Sequence, residues 1–173
     1  MHPEKEVFFF DESRFGTHSK LGSGWFKKGI RTQAKIKIGR ENFYLYSAVN
    51  PKTGEDVSLF APNVNTDCMN IFLEQMSKQL EKKEAFFVVD CASWHRSKGL
   101  KIPQNITIIY LPPYSPELNP VERFWQYLKD KIIKNKIYDS IQVLEETLCT
   151  FIRDITESSI KTICSVSYLP SYL

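Results

Sequence analysis

Long hydrophobic runs are missing from this chain of 173 residues: the longest are Val7 to Phe10, Ala85 to Val89 and Ile106 to Leu111. Each falls far short of the roughly 20 apolar residues that a membrane-spanning helix needs, so the sequence predicts no bilayer span. Cysteine is sparse, with Cys68, Cys91, Cys149 and Cys164 scattered and never closely paired as a zinc site requires. With no secretory leader ahead of them, they read as reduced thiols in a cytoplasm. Internal repeats and low-complexity tracts are absent too, which leaves one domain with an ordinary core. The most informative gap is in charge of one sign. Between Ser13 and Arg40 stand eight basic residues (Arg14, Lys20, Lys27, Lys28, Arg31, Lys35, Lys37, Arg40) and no Asp or Glu. Setting those eight apart from the 23 Lys and Arg leaves 15 against 20 acids, so the rest of the chain is net −5. Such a segment suits a polyanion such as nucleic acid, because clustered cations displace counterions from a phosphate backbone. It equally suits a solvated hairpin whose charges discourage edge pairing.

What is present follows two periods. Glu6 to Ser13 carries four large apolar residues in succession and ends in acids, as a strand buried on both faces does. Gly16, Gly22, Gly24 and Gly29 punctuate a loop, after which Ala34 to Ile38, Asn42 to Val49 and Asp56 to Ala61 alternate in strand fashion around a turn at Asn50 to Gly54. From Thr66 the period becomes helical: Met69, Phe72, Leu73, Met76 and Leu80 share one face, with Asn65 or Thr66 as N-cap. Ala85 to Val89 and Ile106 to Tyr110 are further strands, and helices follow on Val121, Trp125, Leu128 and Ile132 and over about 140–157. Three antiparallel strands, a helix, two helix-linked strands and two closing helices predict an α/β fold with a mixed five-stranded sheet flanked by helices.

Two acids end buried strands. Asp11 follows Phe8 to Phe10 and Asp90 follows Phe87 to Val89; if the strands are neighbours, the two carboxylates converge at the sheet margin. Like charges that close repel, raise one another's pKa and call for a divalent cation; taken singly, each Asp also suits a turn cap. A third acid, Glu122, follows a stiff loop with four prolines in the nine positions Pro112 to Pro120. Asn119 fits an N-cap, Pro120 the first helical position, and Glu122 either a capping box or a metal ligand. His95, five residues after Asp90, fits a contact beside that site, to substrate or to a ligand, or a satisfied structural histidine. Trp25, Trp94 and Trp125 read as core, with Trp25 inside the basic segment.

Phe10-Asp11-Glu12-Ser13, Gly24-Trp25, Val89-Asp90-Cys91-Ala92-Ser93-Trp94-His95, and Pro113-Tyr114-Ser115-Pro116-Glu117-Leu118-Asn119-Pro120-Val121-Glu122-Arg123-Phe124-Trp125 together resemble the blocks of DDE transposases of bacterial insertion sequences related to the Tc/mariner superfamily. The last block is the most specific. Cys91 stands where the family often has Asn, and the interval of 31 residues between Asp90 and Glu122 is shorter than in many members.

The resemblance implies a ribonuclease-H-like fold over residues 1–160 with a tail at 161–173, and a catalytic, metal-binding trio of Asp11, Asp90 and Glu122. Glu12 and Glu117 are set aside as ligands, Glu12 because neighbouring strand residues face opposite ways. It further implies two Mg²⁺ or Mn²⁺ ions, and cleavage and strand transfer at insertion-sequence ends. The DNA contacts fall on Lys27, Lys28, Arg31, Lys35, Lys37, Arg40 and His95. The implied partners are double-stranded DNA, as terminal inverted repeats and target, and a second copy in a synaptic homodimer. A nucleoid-associated bacterial cytoplasm is the implied location. A helix-turn-helix that reads the repeats is expected from outside this stretch, as from an adjacent reading frame. The alternatives are a ribonuclease-H-like nuclease without strand transfer and an inactive DNA-binding remnant.

Overall fold

The computed structural model describes residues 5–18, 28 and 39–168; the expected strand at 34–38 and Trp25 lie outside them. Five strands form one sheet in the order β3-β2-β1-β4-β5, with β1 Glu6–Gly16, β2 Asn42–Val49, β3 Asp56–Ala61, β4 Ala85–Val89 and β5 Ile106–Tyr110. The first three pair antiparallel, while β4 runs parallel to both β1 and β5. This is the mixed sheet that the pattern predicts.

Alternation along β1 divides the core in two. Phe8 and Phe10 join Tyr46, Phe87 and Val89 under the apolar face of α1, Thr66–Leu80. Phe9 and Phe15 join Leu45, Val49 and Val88 under α2 Val121–Leu128, α3 Ile141–Asp154 and α4 Glu157–Ile163. Asn65 caps α1 by accepting from the Cys68 N–H at 2.9 Å, and a five-residue π-helical stretch, Lys129–Ile133, continues α2. The helix expected over about 140–157 is α3, which stops at Asp154; Ile155 and Thr156 are extended, and the Thr156 hydroxyl caps a further helix, α4, that lies beyond the expected span. α4 runs through residue 160, where the tail is expected to begin, and Cys164 beyond it is buried. No helix among the described residues is long and apolar enough to cross a membrane.

Two expectations about the site need correcting. Asp11 does not end its strand: β1 continues to Gly16, because β2 is long enough to pair with it from Phe9↔Val49 to Gly16↔Asn42. It lies at a margin only on the β4 side, where β4 stops at Val89. The second concerns α2, which begins one residue later than expected, with Pro120 at the cap position and no side-chain capping bond. Asn119 instead accepts from the Val121 N–H at 3.1 Å and donates to the Phe10 carbonyl at 2.9 Å. The start of α2 is thereby tied to the residue preceding Asp11, and the capping-box role for Glu122 is not taken.

Candidate active site

Parallel pairing of β1 with β4 brings the first two acids together. Phe9 is level with Val88, the last pair of the β1–β4 ladder, so two residues further along Asp11 stands beside Asp90, the first residue past the end of β4. Asp11 projects on the α2 side, as Phe9 does, and there it meets Trp125 of α2. Glu122, in the first turn of α2, completes the group. All three line a cleft of about 480 Å³, which the proline-rich segment Leu111 to Pro116 also lines and whose one lining cation among the described residues is Arg96.

The electrostatics follow from that crowding. Burial, then the negative charges of Glu122 and Glu12, push the Asp11 carboxyl up to about 7, against the pull of an indole N–H that Trp125 donates to its Oδ2 at 2.8 Å. Asp90 is the opposite case. The His95 ring nitrogen Nδ1, 2.7 Å from Oδ1, holds it below the ordinary carboxylate range. Burial alone would lower His95, but its bonds to Asp90 and Glu12 outweigh this and raise it to about 9.

Three oxygen-donor side chains around one chamber, one of them forced toward neutrality for want of positive charge, suit a hard divalent cation. As the side chains stand, no three His, Cys, Asp or Glu among the described residues converge on a single ion position. Mg²⁺ does not require it, since it typically takes one or two carboxylates and completes its shell with water and substrate phosphate.

Other expected site residues fare differently. His95 is fully buried with both ring nitrogens engaged, so the expected DNA contact there is corrected: its partners are Glu12 and Asp90, and no face is left for a nucleic acid. Lys28 and Arg40 are exposed; Lys27, Arg31, Lys35 and Lys37 lie outside the described residues. Arg14 and His18 line, with Lys129, a second cleft at the far end of β1. Trp125 is core, as its position predicts, yet its indole N–H also orients Asp11; the available signal was its spacing of three from Glu122, which puts both on one helical face. Trp125→Phe keeps the packing and removes the donor, and calorimetric Mn²⁺ titration is expected to show affinity lowered about tenfold, at the mild end for a residue that orients a ligand. Unchanged affinity would mean that the indole only packs.

A family model described as DDE superfamily endonuclease matches residues 6–145. The chain is 30% identical over 159 residues to an "Insertion element IS630 uncharacterized 39 kDa protein" of Shigella sonnei, covering 88% of this chain and 46% of that one. It is 24% identical over 171 residues to the "Transposable element Tc3 transposase" of Caenorhabditis elegans, covering 91% and 52%. The chain thus spans about half the length of these two relatives. Among solved structures, the Mos1 mariner paired end complex with Mn matches with a TM-score of 0.71 at 14% identity, over 92% of this chain and 51% of that one. At that identity the likeness concerns the fold, which is ribonuclease-H-like.

Proposed function

This chain belongs to the DDE superfamily endonuclease family, and from that premise we propose that it is the catalytic domain of a transposase that cleaves DNA at the ends of an insertion element and joins them to a target. The observation carrying the reading is that Asp11, Asp90 and Glu122, from two strands and a helix, line one cleft. The kinship with a transposase and an insertion-element protein supports it, as does the fold shared with a paired end complex holding Mn.

In this reading Asp11, Asp90 and Glu122 are the residues that would hold two Mg²⁺ or Mn²⁺ ions. Bound there, the ions supply Lewis acidity for in-line displacement at phosphorus, favouring both the attacking and the leaving oxygen. The chain's own contribution is placement. Trp125 and His95 aim two of the carboxylates, Asn119 fixes the start of α2 against β1, and the proline-rich wall limits how the backbone of the substrate enters. Water attacking phosphorus releases a 3′-hydroxyl at the element end; that hydroxyl then attacks a target phosphodiester and expels its 3′ oxygen. Double-stranded DNA is the substrate, with the exposed cations Lys28 and Arg40 among its backbone contacts, and two copies acting on paired ends form the working assembly.

The test uses the purified chain, duplexes carrying the element end, and Mn²⁺ or Mg²⁺ in excess, with nicked and joined strands resolved on denaturing gels. Cleavage is expected to need the ion and to fall at least about 100-fold in Asp90→Ala or Glu122→Ala, because several kcal/mol of charge stabilisation disappear. Nicking without joined product would favour a nuclease; full activity in either variant would sink the assignment.

A further inference from the structure

We propose that Glu12 and His95 form a positioning relay that aims the Asp90 carboxylate into the cleft from the opposite face of the sheet, so that adjacent residues of β1 serve both strand-borne ligands. The inference rests on the reading of Asp90 as a metal ligand.

Asp90 lies just past the last residue of β4, and its side chain is 55% exposed. A carboxylate so placed has several rotamers open to it unless something holds it. Two groups do: the Ala92 N–H donates to Oδ1 at 3.0 Å, and His95 Nδ1, which also lies 3.4 Å from the Asp90 carbonyl, stands 2.7 Å from the same Oδ1 as its ion-pair partner, which leaves Oδ2 to face a ligand. The His95 ring is itself held. It sits fully buried in a 3-10 turn, Ser93–Arg96, with its edge toward the Phe10 ring at 5.6 Å. The Tyr110 hydroxyl of β5 donates to the His95 carbonyl at 2.8 Å.

Behind the ring stands Glu12. Its Oε1 is 2.9 Å from His95 Nε2 and accepts from the Trp94 indole N–H at 3.0 Å, and its side chain is only 6% exposed. Burying a carboxylate beside an aromatic cluster is costly even when it is paired, and apolar residues of similar volume usually serve stability as well or better. The pair is therefore poorly explained as mere packing. A carboxylate that fixes an imidazole, which in turn orients a metal ligand, is the arrangement by which outer partners tune a metal site. Glu12 is a neighbour of Asp11 in sequence but faces α1, so one strand serves Asp11 directly and Asp90 through the ring.

Three variants separate positioning from packing. Glu12→Leu and His95→Phe remove the relay's polar atoms but keep volume, whereas Glu12→Gln keeps an oxygen for both N–H donors. By titration of the folded chain, Mn²⁺ affinity is expected to fall about 10- to 100-fold in the first two and to stay within about threefold in Glu12→Gln. The double variant Glu12→Leu/His95→Phe should melt at or above the parent, since a whole buried pair is exchanged for apolar residues, whereas each single change leaves its partner's charge buried alone and lowers the melting temperature. A purely structural role reverses this pattern. A second measurement needs no metal: in the ¹⁵N spectrum of the metal-free chain, Asp90→Asn is expected to move the His95 Nδ1 resonance and Glu12→Gln the Nε2 resonance. Parent-like Mn²⁺ affinity in folded Glu12→Leu and His95→Phe, or ring resonances indifferent to Asp90→Asn, overturns the relay. If the parent chain binds no Mn²⁺ at all, the metal-dependent function fails instead, and the ring resonances still decide whether the relay exists.

Discussion

Asp11→Asn is expected to stabilise the metal-free chain at pH 8 while abolishing its response to divalent cations. The Asp11 carboxyl is raised from 3.8 to about 7 by burial and by the facing charges of Glu122 and Glu12. Its folded form therefore holds a proton that the unfolded chain gives up from about pH 4. Between these values the native state binds more protons, so stability falls as pH rises from about 4 to about 7, and the whole penalty is present above that window. Asparagine keeps an oxygen for the Trp125 N–H and carries no charge. The gain at pH 8 is on the order of a few kcal/mol, or roughly 5 to 10 °C in melting temperature for a domain of this size, and it should vanish near pH 4. Adding Mn²⁺ reverses the order, because a ligand that binds only the native state stabilises the parent and leaves the variant unmoved. Thermal denaturation at pH 4 and pH 8, with and without Mn²⁺, reads all four corners. A variant less stable than the parent at pH 8 would show that Asp11 carries no strain from its neighbours.

Asn119→Ala should be the most disruptive change outside the carboxylates. Its amide bridges the Val121 N–H and the Phe10 carbonyl in a buried setting. Truncation leaves two backbone groups without partners, at about 1–3 kcal/mol each. The larger effect is geometric, since those bonds set where Glu122 stands relative to Asp11. A displacement of about 1 Å in a catalytic group is enough for roughly 100-fold in rate. Cleavage measured well below the melting temperature is expected to drop by about that factor. Asn119→Asp, which keeps the acceptor for Val121 and loses the donor to Phe10, should fall between the two. Equal activity in all three chains would leave the loop's stiffness, not Asn119, as what places α2.

Much of this architecture was legible because periodicity in a buried sheet has few alternatives. The runs at Asn42 to Val49, Asp56 to Ala61, Ala85 to Val89 and Ile106 to Tyr110 are the strands observed, and the α1 face from Met69 to Leu80 is the one buried. Local pattern does not carry pairing length. Nothing in Glu6 to Ser13 says that β2 will hold β1 extended to Gly16 and leave Asp11 in mid-strand. Nor does it carry the second partner of a side chain. Trp125 and Glu12 each satisfy a simple role, core indole and opposite-facing acid, and their bonds to Asp11 and His95 span 114 and 83 residues of sequence. The break at Ile155 and Thr156 was hidden because the apolar spacing continues across it.

The in-register contact of β1 with β4 has a consequence for mutational tolerance. Deleting a single residue ahead of Asp11 would put Glu12 in its place and drive Asp11 into the place of Phe10, among the rings of Phe72 and Phe87, whereas inserting one would put Phe10 at the cleft and move Asp11 to the place of Glu12. Either strand would still carry two adjacent acids, but one place out of step, and neither would assemble the chamber. Substitution along this strand can be graded, whereas a change in its residue count is all or nothing, and that makes its parity a property on which the chemistry depends as much as on any one side chain.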